Sequence, residues 1–153
     1  MAVTRDTNRN PEIARAIASM GGQTLRVGVF PESGRKQFAI CAAHEYGTHI
    51  SMTPRMRRFL GAKFAEQMST PGGGSVTIPE RSYVRSTFDS KHEEWRELFG
   101  RGVDALIDGG QTDAYELLRL LGASCVNDIR HTIQERFTMR SGNLLASVKY
   151  KVG

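Results

Sequence analysis

Two long apolar stripes limit what this chain can fold into. Val84, Phe88, Trp95, Phe99, Val103 and Leu106 recur at spacings of three, four and seven, the period of one face of an α-helix. Leu118, Leu121, Cys125, Ile129 and Ile133 repeat the pattern inside "DAYELLRLLGASCVNDIRHTIQERF". The break "DGGQT" separates the two, and Asp113 with Glu116 three residues on has the form of a capping box. So short a break sets the helices antiparallel, and both stripes then need a partner layer to cover them.

Strand patterns supply that layer. In "QTLRVGVF", Leu25, Val27 and Val29 alternate with Arg26 and Gly28; in "ASVKYKV", Val148, Tyr150 and Val152 alternate with Ser147, Lys149 and Lys151. Both have the two-residue period of a half-buried strand. "SVTIP" is a third short strand, stopped by Pro79. Shorter helices are predicted over "PEIARAIASM", with Asn10 or Asp6 as cap, and over "QFAICAAHEY", largely buried, with Phe38, Cys41, Ala42 and Glu45 along one side and Gly47 closing it. "TPRMRRFLGAKFAEQM" reads as a basic amphipathic helix capped by Thr53 and followed by the flexible tract "STPGGGS".

The expected fold class is therefore α+β: a small, mainly antiparallel sheet packed against two long antiparallel helices, with a flexible Gly-rich basic excursion. A chain of 153 residues fits one domain, 1–153, with the excursion over about 51–75 and an N-terminal stretch, 1–10, expected to be disordered. No apolar run approaches a membrane span, and "MAVTRDTNRNPEIARA" is too polar for a secretory signal. A soluble protein that stays where it is made is expected, with no membrane partner.

"CAAHEYGTHI" raises the question of a metal site, because a glutamate lies between two histidines. In a zincin helix the histidines stand four apart, about 40° around the axis, and converge on one ion. His44 and His49 are five apart, about 140° around an ideal helix, and diverge. Gly47 between them favours ending the helix. His92 and His131 read as packed or surface residues of the long helices. Cys41 and Cys125 have no CxxC companion and read as inert thiols. "PGGGS" lacks the GK[ST] of a phosphate loop, and no serine sits in a GxSxG elbow. No catalytic set, cofactor motif or metal-ligand set emerges.

The remaining signal is charge. With 21 Lys and Arg against 16 Asp and Glu the chain carries a net +5, a balance suited to phosphates or acidic surfaces. Arg55, Arg57, Arg58 and Lys63 form its densest positive stretch, unopposed until Glu66; a solvated helix face or a segment reaching a polyanion would both look like this. "IPERSYVRSTF" reads as a structural corner: Pro79 ends a strand, Arg81 pairs with an acid or caps carbonyls, and Arg85 follows one turn later. Glu45 is a candidate partner for Arg81 if the two segments meet.

The order of these segments is familiar. "VGVFPESG", a helix ending in "HEYGT", "MTPRMRRFLGAKF", then "IPERSYVRSTFD" opening a long helix together resemble the virion-morphogenesis proteins of tailed bacteriophages, the small neck or tail-completion proteins. The likeness runs from Leu25 to Asp89 in motif order, with His44, Glu45, Gly47, Pro79 and Arg81 as its signature; Ser82 and Tyr83 depart mildly from relatives that show Pro or Ser followed by Phe. It implies a structural subunit with no active site, assembling with itself into a ring, a hexamer in this family, where the tail meets the head connector. It also implies partners in the connector or adaptor and the tail tube, contact with genomic DNA in the channel, and a place in the virion after assembly in the host cytoplasm. The rival readings are a basic nucleic-acid-binding protein, for which no helix-turn-helix or aromatic-studded sheet is visible, and a hydrolase, for which no convergent polar set is visible.

Overall fold

The computed structural model describes residues 10–56, 58, 75–108, 113–136 and 142–153. Along the chain these form helix α1 (Asn10–Met20), strand β1 (Leu25–Val29), a single 3-10 turn (Pro31–Ser33), helix α2 (Arg35–Tyr46), strands β2 (Thr48–Ser51) and β3 (Ser75–Ile78), helices α3 (Val84–Ile107), α4 (Ala114–Arg136) and α5 (Asn143–Ser147), and strand β4 (Val148–Val152). Most of the basic excursion and the N-terminal stretch lie outside the described residues, as do Arg57 and Lys63.

The chain is α+β, and the two long helices pack antiparallel. Three side-chain ties run in opposite order along them: Thr87 Oγ1 donates to Thr132 Oγ1 at 2.7 Å, Trp95 Nε1 to Asp128 Oδ2 at 2.7 Å, and Arg136 Nη1 to Ser86 Oγ at 2.9 Å. Asp113 caps α4 by accepting from the Glu116 N–H at 2.7 Å, while the Glu116 side chain pairs with Arg119 and does not complete the box. α4 is the central element. It lies against α3 on one side and against β1 and β4 on the other, and Ala114, Leu117, Gly122, Cys125, Val126, Ile129 and Ile133 are its buried residues.

β1 pairs with β4 antiparallel, Leu25 opposite Val152 through Val29 opposite Val148. The alternation read in both strands places Val27, Val29, Val148 and Tyr150 toward the core, where they meet Cys41, Tyr83, Val126, Ile129, Ile133 and Leu144. Apolar burial of this kind contributes roughly 25 cal/mol per Å².

The structure corrects several expectations. Among the described residues the antiparallel strands form two separate two-stranded ribbons, β1–β4 and β2–β3. β2 carries only two apolar-leaning positions among "THIS", too few to register as a strand without its partner. The helix α5 replaces the expected start of the last strand, because the Ser147 hydroxyl bonds back to Leu144 O at 2.6 Å and continues a helical turn. Among the described residues α4 makes the main helix contact with the β1–β4 ribbon, while the α3 stripe is mostly half-buried and Phe88 is 56% exposed. α2 is not largely buried; Cys41 and Glu45 are, but Phe38 and Ile40 face solvent. Among the described residues, no helix is long and apolar enough to cross a membrane.

Two glycines separate packing from propensity. A Cβ on Gly122 would stand 2.7 Å from the Tyr150 ring and 2.9 Å from Leu25 Cδ1, whereas one on Gly100 meets nothing within 4 Å. Gly122→Ala is expected to lower unfolding free energy by about 1–3 kcal/mol, and Gly100→Ala to raise it by up to about 1 kcal/mol. Urea denaturation of the two variants checks both signs.

Candidate functional site

The residues of the sequence signature meet at one joint, where the C-terminus of α2 abuts the N-terminus of α3. A helix start leaves its first backbone N–H groups without partners and carries partial positive charge. α3 spans 24 residues, and a carboxylate from elsewhere in the chain occupies its start. Glu45 Oε1 accepts from the N–H groups of Tyr83 at 2.8 Å and Val84 at 2.7 Å; Oε2 accepts from Ser82 Oγ at 2.8 Å and more distantly from the Arg85 N–H and Nε, each at 3.4 Å. The Glu45 residue is 5% exposed.

The opposite end of the joint is satisfied in return. A helix C-terminus leaves carbonyls without partners. His44 O accepts from the Arg81 N–H at 2.8 Å, and Glu45 O accepts from Arg85 Nη2. Arg85 also reaches Glu80 Oε1 at 2.6 Å and lies 4.9 Å from the centre of the Tyr46 ring. Gly47 turns the chain away with φ 65°, a conformation that favours glycine. A Cβ there would come within 3.1 Å of the Glu80 N and 3.2 Å of Ile78 O, so the turn and the "IP" backbone pack directly against each other.

Burial alone would raise the Glu45 pKa; the Val84 and Tyr83 N–H groups, then Ser82 and Arg85, outweigh it and hold the carboxyl below its ordinary value. His44, in the last turn of α2, is held below the ordinary histidine value by burial first and the nearby Arg81 charge second. Tyr83 is fully buried, and burial, reinforced by its hydrogen bond with Cys41, pushes its hydroxyl far up. Burial raises the Cys41 thiol too, and carries Cys125 to about 11. Both cysteines are free and buried, so both are poor nucleophiles at neutral pH.

The other sequence candidates fall as follows. His49 lies on β2, bonded through Nδ1 to Thr77 Oγ1 at 2.9 Å, on a different element from His44. Among the described residues, no three His, Cys, Asp or Glu side chains are grouped to hold a metal ion. Pro79 and Arg81 stand at the joint, but Arg81 contributes its backbone and Arg85 supplies the ion pair to Glu45. Arg85 was the missed partner. Its position one turn into α3 is what lets its guanidinium fold back over the helix start. Thr53 caps the basic segment as expected, accepting from the Met56 N–H at 3.2 Å, and Arg55 and Arg58 are exposed. A polar cleft of about 470 Å³ lies between α3 and α4, and its charged groups are each engaged: His131 lies 3.5 Å from Glu135, Lys91 bonds Glu94 outside the cleft at 2.8 Å, Asp128 accepts from Trp95 and Arg136 donates to Ser86.

Comparison of the chain with protein-family models, with characterised proteins and with solved structures finds no match in any of the three.

The joint makes separable predictions. Glu45→Ala strands one buried and one half-buried N–H group and is expected to cost about 3 kcal/mol in urea denaturation. Arg81→Ala removes an exposed side chain and leaves its N–H in place, so the midpoint should move by less than about 0.5 kcal/mol. For pH, both depressed pKa values act in the same direction, because the unfolded chain binds protons first. Stability should fall on acidification from about pH 6.5 as unfolded His44 protonates, and fall again below about pH 4.3 as Glu45 follows. His44→Gln should remove the first step, and Glu45→Gln the second, in unfolding curves collected across that range.

Proposed function

We propose that this chain is a structural subunit of a tailed-phage particle, a tail-completion or neck protein that joins copies of itself into a ring between the tail tube and the head connector, around the DNA channel. The observation that carries the reading is the joint itself. The two halves of the signature, "HEYGT" and "IPERSYVR", lie about thirty residues apart, yet every polar side-chain atom of Glu45 is committed to capping α3 and joining it to α2. The signature residues hold an architecture. The acid has no lone pair directed at an open cleft, which is what a general base would require.

The surface suits assembly. Ile17, Phe88, Tyr115 and Leu120 are each at least half exposed and are available to neighbouring subunits. Arg55 and Arg58 extend the positive charge of the excursion into solvent next to β2. In a ring they face the lumen DNA or an adjacent ring, where backbone phosphates are held without reading sequence.

Charge reversal at Arg57 and Arg58 is expected to leave the thermal unfolding midpoint of the subunit unchanged and to abolish infectious particles when the variant is the sole copy in a phage-producing host. Electron micrographs should then show tails and filled heads unjoined. Normal titres would contradict the reading. Tight, salt-sensitive binding of free DNA by the isolated monomer would favour a nucleic-acid-binding protein instead.

A further inference from the structure

The helical layer is wider than the sheet beneath it. α3 and α4 side by side span about 20 Å, whereas two strands span about 10 Å. α4 packs on both strands of the β1–β4 ribbon, and α3 overhangs the β1 side. There Leu25, Val27, Cys125, Phe88, Trp95 and Phe99 line an apolar groove of about 530 Å³ to which β4 contributes nothing. Among the described residues the helical layer is wider than this ribbon by about the width of two strands.

Among the described residues the outer edge of β1 has no strand partner. Thr24 and Gly153 exchange hydrogen bonds of 2.6 and 3.1 Å, which fixes the alternation along the pair: Arg26 and Gly28 bond inward to β4, while the N–H and C=O groups of Leu25, Val27 and Val29 point away from it. Among the described residues β1 pairs with β4 alone. The outer edge of β4 is protected in the usual manner of edge strands. Arg130 donates to Leu145 O and Val148 O at 3.0 Å each, and Lys149 is exposed on the strand, whereas Lys151 reaches across to Glu32 and the Phe30 ring. β1 has only Arg26.

The same chain carries a ribbon with the complementary properties. β2 and β3, "THIS" and "SVTI", contain no Lys, Arg, Asp or Glu, so neither edge is guarded. A lone two-stranded ribbon is marginal in water. Its Ile50, Val76 and Ile78 stay only half-buried, and in the register Ile50 faces Val76.

We propose that the β2–β3 ribbon of a second copy docks along the open edge of β1, lays Ile50, Val76 and Ile78 over the Phe88, Trp95 and Phe99 overhang, and turns two two-stranded ribbons into one four-stranded intermolecular sheet. The inference rests on the ring reading and names the contact that closes the ring. Two added strands are about 10 Å wide, the shortfall under α3. The contact is heterologous, because the edge of one copy meets the ribbon of the next, and repeated rotation of such a contact generates a ring. It is also small: four residues of ribbon cover about 13 Å by 10 Å, well under the roughly 800 Å² per partner of a stable pair. A dimer made this way is short-lived, and closure, in which every subunit makes the contact twice, is what retains it.

Disulfide trapping tests the contact. Arg26→Cys protein is mixed with Thr77→Cys or His49→Cys protein, oxidised at high concentration, and compared with Lys149→Cys on the guarded edge; sedimentation of the unmodified protein runs in parallel. The expected result is a mixed cross-link from Cys at 26 to one of the two ribbon positions, at least tenfold over the Lys149→Cys control. Thr77→Lys should abolish assembly while leaving the unfolding midpoint in place. Oligomers in sedimentation without this cross-link would overturn the contact and leave the ring reading standing. A cross-link dominated by Arg26→Cys homodimers would overturn it in favour of a two-fold pairing. A monomer at every concentration with no cross-link would overturn both.

Discussion

A single buried carboxylate fixes how this chain is put together. Glu45 lies in the last turn of one helix and caps the first turn of another, where the Ser82 hydroxyl adds a longer bond from the Ser86 N–H at 3.3 Å. Charged acceptors bind backbone N–H groups about twice as strongly as neutral ones, and a helix N-terminus is where negative charge is most favoured. Taking a carboxylate out of water costs several kcal/mol. That cost is offset here by two short N–H bonds, a hydroxyl and a guanidinium, and the lowered pKa records that the balance favours the charged form.

Much of the fold follows from that joint. With α3 fixed at its start, Thr87, Trp95 and the carbonyl of Ser82 meet Thr132, Asp128 and Arg136, which sets the register of α4. α4 in turn holds the ribbon: Arg130 bonds the carbonyls where α5 passes into β4, and Gly122 lets Tyr150 lie against the helix backbone. At Gly47 the chain turns out of α2 and into the β2–β3 ribbon. Among the described residues this leaves a helical body with one guarded strand edge, one unpaired edge and one unguarded ribbon, which is the physical basis for proposing that the chain completes its sheet with a neighbour.

The long helices, the two outer strands and the Thr53 and Asp113 caps were legible because each rests on local periodicity or a side chain a few residues from its target. The two-ribbon topology was not, since β2 has a pattern only in the presence of β3. The joint was half legible. That "HEYGT" and "IPERSYVR" belong together could be read from their pairing, and Glu45 could be singled out as an acid on a buried stripe. That its partner is Arg85, with the Arg81 side chain left in solvent, depends on the direction from which α3 approaches α2, and no spacing encodes that direction. The helix overhang was equally invisible, because the stripe on α3 looks like core whether or not a strand lies beneath it.

The account stands or falls on whether the start of α3 is held by Glu45. Amide hydrogen exchange of Tyr83 and Val84 measures this directly, because first-turn amides of a helix have no intrahelical acceptor and ordinarily exchange fast. If the carboxylate caps them, both should exchange only with global unfolding in the wild type and become fast in Glu45→Gln. Fast exchange of Tyr83 and Val84 in the wild-type protein would contradict the account.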